Sequence, residues 1–127
     1  MKKYELINET KLFNGVKLHR IKALKDFGDV KQGDLGGWIE KEENLCQLGT
    51  AWVADNASIS GEAKVFGNAL IKGNALVADN ARVFGNAVIA DNAKVIDFAW
   101  VYENAVICSD AKVYSNIFVS GNIIIGM

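Results

Sequence analysis

The sequence contains no proline, only two cysteines and one histidine among its 127 residues. Since proline would remove backbone donors from a sheet, its absence leaves the chain free to form continuous ladders of strands. A carbonic-anhydrase-like zinc site needs about three imidazoles, so one histidine excludes that type of site. These absences agree with a β protein and exclude a histidine-rich metal centre.

Strong net charge and long apolar runs are also missing. Fourteen Lys and Arg residues against fifteen Asp and Glu residues give a formal net charge of −1. The positive field of a general nucleic-acid or membrane-surface binder is therefore absent. No apolar run approaches the roughly 18 residues of a membrane span, and residues 1–5 lack the apolar segment of a secretion signal. We expect a soluble, cytoplasmic protein that has neither a membrane nor a nucleic acid as its partner.

A period of six residues begins at Thr50 and continues without insertion. One position in each hexapeptide is always Val or Ile, and we call it the register position. Ala stands two residues before most register positions, and Asn, usually preceded by Gly or Asp, stands three residues after them. Such a period is the signature of a solenoid. The register positions, called mark residues below, are all Val or Ile: Val53, Ile59, Val65, Ile71, Val77, Val83, Ile89, Val95, Val101, Ile107, Val113, Val119 and Ile125.

Each residue type in the repeat has a structural use. A β-branched residue suits a strand, a small Ala fits where the chain turns close to its own axis, and Asn or Gly accepts the positive φ of a corner. Three hexapeptides would close one coil, and coils would stack at about 4.8 Å through parallel ladder bonds. The sequence predicts an all-β fold with a parallel β-helix of about four to five 18-residue coils over residues 50–127.

Residues 1–49, called the head, have no such period. Residues 11–18 predict a β-hairpin, because Asn14-Gly15 is a strong signal for a two-residue turn. Residues 26–37 are expected to form a loop. Since an exposed solenoid end must be covered, we expect the hairpin and Trp38-Ile39 to form a cap domain over the first coil. The alternative is an independent binding head.

The hexapeptide at residues 71–76, IKGNAL, and its neighbours resemble the repeat of left-handed parallel β-helix proteins. This resemblance implies a left-handed solenoid and association through a flank. The head segments ALKDFGDV (residues 23–30) and GDLGGWIE (residues 33–40) resemble those of small bacterial and prophage proteins. That second resemblance implies an accessory role for a mobile element, such as binding or inhibiting a host protein. Since this fold hosts acyltransferases, carbonic anhydrases and scaffolds, it does not fix an activity.

Acyltransferases of this family are expected to carry a catalytic histidine and a loop that projects from the coils, and these coils contain neither. The one histidine, His19, lies in the predicted hairpin, where a packing role is commoner than a general base. Cys46 and Cys108 would lie roughly 16 Å apart at the ladder spacing, beyond disulfide reach. Both are expected to be free thiols, and we predict no enzyme activity.

Two further motifs are candidate ligand sites. Residues 28–34 have the spacing of a phosphate loop but end in Asp34, where the motif requires Lys and a carboxylate would repel phosphate. Asp79 and Asp97 fall one coil apart at the same corner and could bridge a calcium ion weakly. Isolated corner aspartates are commoner, so we expect no metal and no cofactor.

The residues on either side of each mark point outward and form three faces. Face one contains a single charge, Lys72, beside Ala54, Ala90 and Cys108, which is too little charge for a solvated surface. We predict that it is a self-association surface of a dimer or trimer, and the alternative is that the head folds back over it. The face-one residues that precede the marks are Trp52, Leu70, Val88, Val106 and Ile124.

Face three combines aromatic rings with cations. Such rows could stack on a base, a sugar or a partner's side chain, or the rings could only stack on one another and stabilise the sheet. Face two has the composition of ordinary surface. The face-three residues are Lys64, Arg82, Trp100 and Phe118 before the marks, and Phe66, Phe84 and Tyr102 after them.

No polar segment follows the last repeats, so Ile123 and Ile125 are expected to be buried by another copy. The leading hypothesis is a non-catalytic solenoid that binds proteins and self-associates. The alternatives are a small-ligand or nucleotide-binding module that uses face three, and a degenerate acyltransferase. The latter would need His19 of one chain beside solenoid residues of another.

Overall fold

The computed structural model describes residues 1–126, and almost all of its regular structure is β. The head forms β1 (Tyr4–Phe13), β2 (Val16–Ala23) and β3 (Leu35–Ile39), followed by a 3₁₀ turn at Glu42–Asn44. No described helix is both long and apolar enough to cross a membrane. The repeats form two-residue strands: β4 (Trp52–Val53), β5 (Ser58–Ile59), β6 (Lys64–Val65), β7 (Leu70–Ile71), β8 (Leu76–Val77), β9 (Arg82–Val83), β10 (Val88–Ile89), β11 (Lys94–Val95), β12 (Trp100–Val101), β13 (Val106–Ile107), β14 (Lys112–Val113), β15 (Phe118–Val119) and β16 (Ile124–Ile125).

Three sheets form the sides of a solenoid. Face one is built from β4, β7, β10, β13 and β16, and face three from β6, β9, β12 and β15. Face two contains β5, β8, β11 and β14, and its sheet continues into the head through β3, β2 and β1. Ladder partners in the solenoid lie eighteen positions apart, as Ile71 and Ile89 do. The predicted β-solenoid of about five turns is confirmed.

The interior of the solenoid is a stack of mark residues and alanines. The marks from Val53 to Val119 and the repeat alanines from Ala51 to Ala105 are buried. Branched side chains fill the centre at each level, while the small alanine lets the chain pass close to the axis. Consequently, the side chains beside the marks are left on the outside, where the three faces were predicted.

The corners differ from the expectation in one respect. Positive φ falls on the residue before the Asn, such as Gly73 (φ 68°) or Asp79 (φ 63°), and not on the repeat asparagines. The backbone of the Asn belongs to the ladder instead: Asn80 donates its N–H to the carbonyl of Asp97 in the next coil at 2.8 Å. Of the two expected residue types, Gly takes the positive φ at several corners, whereas at others Asp takes it in place of Asn.

The hairpin of the head is confirmed and is longer than residues 11–18. Phe13 lies opposite Val16, and the turn residues Asn14 (φ 52°) and Gly15 (φ 79°) both have positive φ, as a type I′ turn requires. β2 pairs with β3, and β3 continues in parallel onto β5 of the first coil. The loop prediction for residues 26–37 was thus wrong at its end, because Leu35 already begins β3. The same sheet crosses the proposed division between residues 49 and 50.

The head satisfies the open backbone edge of the first coil. On face two, the Trp38 N–H donates to the carbonyl of Ala57 at 3.0 Å. On face three, the side-chain amide of buried Asn44 donates to the carbonyl of Ala63 at 2.9 Å. These donors replace the ladder bonds that a preceding coil would provide. The expected contact of Trp38-Ile39 with the first coil is confirmed.

On face one, a lysine side chain supplies the missing donor. Lys3 is fully buried, and its Nζ donates to the carbonyl of Ala51 at 2.7 Å and lies 5.0 Å from the centre of the Phe27 ring. Burial lowers the pKa of Lys3 from 10.5 to about 8, and the nearby Lys25 adds to this effect, although Cys46 opposes it. The first coil is therefore closed by an amine that holds its proton weakly.

This burial predicts a specific pH dependence of stability. Above about pH 8 folded Lys3 releases a proton that the unfolded chain retains up to 10.5, so the unfolding free energy should rise with pH in this window. Lys3→Met should lack this rise in chemical denaturation between about pH 8 and 9.5. Tyr4, whose pKa is raised by burial, acts in the opposite direction only at higher pH. The prediction would be contradicted if the unfolding free energies of Lys3→Met and of the unmodified chain changed with pH in the same way.

Candidate functional site

The N-terminal end of face one is covered by the head. Trp52 is only 5% exposed, and its ring meets Phe27 edge-on at 5.2 Å and Tyr4 at 6.4 Å between ring centres. Phe27 reaches this position because residues 27–30 form a tight turn, closed by two hydrogen bonds between Phe27 and Val30. The expectation that Trp52 contributes to an open face is corrected accordingly.

Below Trp52, residues 27–30 of the head and Leu70 line an open crevice of about 190 Å³, so the head borders face one as far as Leu70. Leu70, Val88 and Val106 are half-buried and lie in ladder register, and Ile124 is 56% exposed. The neighbouring positions hold the single charge, Lys72. What remains is a flat aliphatic strip that extends over successive coils.

The aromatic residues of face three stack on one another. The Phe84 ring lies parallel to Phe66 at 4.8 Å and to Tyr102 at 5.0 Å, with interplanar angles of 3° in both pairs. Trp100 stacks on Phe118 at 4.9 Å, and Phe84 meets Trp100 edge-on at 5.8 Å. The two rows are therefore joined into one aromatic cluster, as the stabilising alternative predicts.

This stacking limits what face three can bind. Successive rings of the row stack directly on each other, with centres 4.8 and 5.0 Å apart. A base or a sugar therefore cannot insert between them. The cluster still presents apolar surface, since Phe118 is 58% exposed. Lys64 and Arg82 lie beside it and form no ion pair among the described residues. Face three is thus an apolar and cationic platform.

Phe98 was not included among the predicted site residues. It stands at the corner before face three, in a position that most repeats give to Asn, and is 57% exposed. This departure from the repeat was the available signal, because an aromatic residue at an exposed corner serves neither the core nor the ladder. It extends the apolar surface of face three around the corner.

Face two is not the ordinary surface that its composition suggested. The tip of the hairpin, with Phe13 and Val16, extends beyond the first coil and lies over Leu76 and Ile96. An open crevice of about 300 Å³ separates the tip from the sheet. No feature of the repeat could predict this crevice, because it depends on the direction in which the hairpin leaves β3.

The aspartates of the two candidate ligand motifs have structural partners. In the loop at residues 28–34, the carboxylate of Asp34 accepts the N–H of Lys31 at 2.9 Å. At the corner, the Asp79 carboxylate accepts the N–H of Asp97 at 3.0 Å. No group of three or more metal-binding side chains occurs within residues 1–126. These carboxylates therefore close backbone turns and join coils.

The other reactive side chains lie apart from the face-three cluster. His19 belongs to β2, where it pairs with Thr10 and Ile39. Cys46 and Cys108 are both free thiols. Ile123 is exposed and Ile125 is half-buried, and their burial by another copy stays a prediction. Face one and face three are therefore the candidate binding surfaces.

The aromatic cluster predicts a measurable contribution to stability. Phe84→Leu removes three ring contacts, each worth about 0.5–1.5 kcal/mol, so the unfolding free energy should fall by roughly 1.5–4.5 kcal/mol. Phe118→Leu, which removes a single stacking contact from an exposed position, should cost less. Urea denaturation of the two variants compares these effects. Equal costs would mean that the number of ring contacts does not determine the stabilisation.

A comparison with known proteins finds one relative of this chain in Escherichia coli (strain K12), described as the uncharacterized acetyltransferase YdcK. The two are 38% identical over 68 residues, which cover 47% of this chain and 21% of the relative. The chain thus spans about a fifth of the length of that protein. No family model matches the chain. Handedness, the prophage-like role and cytoplasmic location stay predictions, whereas the relative and the coils together fit a hexapeptide-repeat, acyltransferase-like fold.

Proposed function

We propose that this chain is a non-catalytic β-solenoid module that binds protein surfaces and associates with a second copy of itself through face one. The main support is the aliphatic strip below Trp52, where Leu70, Val88 and Val106 lie in register. Flat apolar surfaces of this kind usually mark an interface. A second copy is the natural occupant, because an aliphatic strip with one charge complements itself.

A two-fold axis across face one at the third coil gives this association a defined register. Val88 then faces Val88 of the second copy, and Leu70 faces Val106, as an isologous interface requires. The second coil faces the fourth, so Lys72 comes to the level of Asp110 in the second copy. The lone cation of face one thereby meets a carboxylate at the rim of the interface.

The size of the face sets the expected strength of the contact. With the axis at the third coil, the second to fourth coils meet, and three coils measure roughly 14 Å along the axis at the ladder spacing. So short a strip buries less area than a standard stable interface. We therefore expect association that depends on concentration.

Val88→Glu should lower the mass in solution, because it places two carboxylates against each other at the centre of the interface. Light scattering after size exclusion, at several concentrations, measures this change. Tyr114→Glu serves as the matched control, since it introduces the same charge at an exposed position on face two. Circular dichroism must show the same β content in both variants. An unchanged mass for Val88→Glu would refute association through face one.

Acyl transfer is a second candidate, favoured by the name of the Escherichia coli relative. Because the coils contain no histidine, such an activity would need His19 of one copy to reach coil residues of another. The coils would then serve catalysis only in an assembly.

Calorimetric titration with an acetyl thioester, together with an acetyl-transfer assay, separates these two candidates. The module proposed above should neither bind the thioester nor transfer its acetyl group. Transfer that is lost in His19→Gln and kept in Thr10→Val, a control in the facing strand, would establish the enzyme and overturn the non-catalytic proposal.

A further inference from the structure

Along face three, cationic side chains come first and aromatic rings follow. Two copies aligned in opposite directions would therefore pair cations with rings. Along the column that precedes the marks, the first two coils present the cations Lys64 and Arg82, and the next two present Trp100 and Phe118. When this column is read backwards against itself, every cation meets an aromatic ring. Neither of the other faces has such an order.

We propose that face three is a second interface between copies of this chain, formed with the solenoids antiparallel. Arg82 of each copy lies on Trp100 of the other, and Lys64 lies on Phe118. The proposal does not depend on face one, because different residues on a different sheet form the contact.

A two-fold axis across face three, between the second and third coils, produces this pairing. Such an axis reverses the order of the coils and leaves the column facing itself. In the neighbouring column Phe84 then faces Tyr102 of the second copy, and Phe66 faces Ser120. Two-fold symmetry repeats each of these contacts, so four cation–aromatic contacts form.

The parallel alternative places both cationic ends at the same levels. Lys64 and Arg82 of one copy would then lie near those of the other, and like charges at such short range repel. In the antiparallel arrangement each level holds one cation and one ring of this column, with the two Lys64 side chains at opposite ends of the interface and the two Arg82 side chains on adjacent levels beside the axis. Because no level then holds two cations, electrostatics favours the antiparallel direction.

The side chains involved are available for these contacts. Within the described residues, neither Lys64 nor Arg82 forms an ion pair shorter than 4 Å. Glu62, whose pKa is lowered mainly by its hydrogen bond with Lys41 and to a smaller extent by Lys64, leaves Lys64 free to contact a ring. Trp100 and Phe118 are fixed against each other at 4.9 Å with an interplanar angle of 16°, so little side-chain freedom is lost on binding. Arg, Trp and Tyr are also the residue types that dominate binding energy at interfaces.

Other occupants fit the surface less well. A nucleic acid would meet the two cations, but the stacked rings leave no slot for its bases. Binding of an unrelated protein would not explain why the column places its cations first and its rings second. A second copy explains this order, because its cations meet the rings and its rings meet the cations.

The experiment starts from Val88→Glu, which removes face-one association. In light scattering we expect this variant to keep the mass of a dimer, held by face three. Adding Arg82→Glu should reduce it to a single chain, while adding Lys94→Glu, the same charge reversal on face two, should leave the dimer intact. Circular dichroism and thermal unfolding must show that the variants remain folded.

The outcomes for the two faces are distinguishable. A single-chain mass for Val88→Glu itself, or a dimer that survives Arg82→Glu, would overturn the face-three proposal. A dimer in both the unmodified chain and Val88→Glu that dissociates with Arg82→Glu would support face three and refute face one.

Cysteine crosslinking tests the orientation. In chains with Cys46→Ser and Cys108→Ser, a mixture of Lys64→Cys and Phe118→Cys should form mixed disulfide dimers on oxidation. A mixture of Lys64→Cys and Phe66→Cys, which face each other only in the parallel arrangement, should not. The reverse result, or no crosslink in either mixture, would overturn the antiparallel interface.

Discussion

The ladder of backbone hydrogen bonds between successive coils determines the rest of this structure. Because each coil has eighteen residues, a residue lies directly above the one at the same position in the next coil. Side chains at the same position of successive coils therefore form columns. Neighbours within a column must pack or hydrogen-bond with each other without repulsion. Along one exposed corner, Asn86 accepts from Asn68 and donates to Asn104, which in turn donates to Asn122. The aromatic rows of face three obey the same constraint.

The same constraint explains which parts of the fold could be predicted. The mark residues fix the period, and the period assigns every outward residue to a face. The burial of Val83 or Ile89 and the stacking of Phe66 on Phe84 follow from that assignment. The Gly corners were predicted, but the Asp-Asn pairs offer two residues suited to positive φ, and only the ladder, which uses the Asn N–H, assigns it to Asp.

The head could be predicted only in part, because it has no period. The turn at Asn14-Gly15 is a local signal and was found. The burial of Trp52 beneath Phe27 and the crevice under the hairpin tip depend on long-range packing, which no spacing in the sequence encodes. The use of buried Lys3 as a backbone donor was equally hidden, since an N-terminal lysine is ordinarily a surface residue.

The three-cornered coil has a consequence for how such a chain can change in length. Gain or loss of eighteen residues adds or removes one coil and leaves every following residue on its original face. A change of six residues preserves the core, because one mark replaces another, but it rotates all following positions by one side. Trp100 would then leave the side occupied by Arg82. Hexapeptide changes thus permute the surfaces of the solenoid without disturbing its interior, which allows new surfaces to arise at little cost to folding.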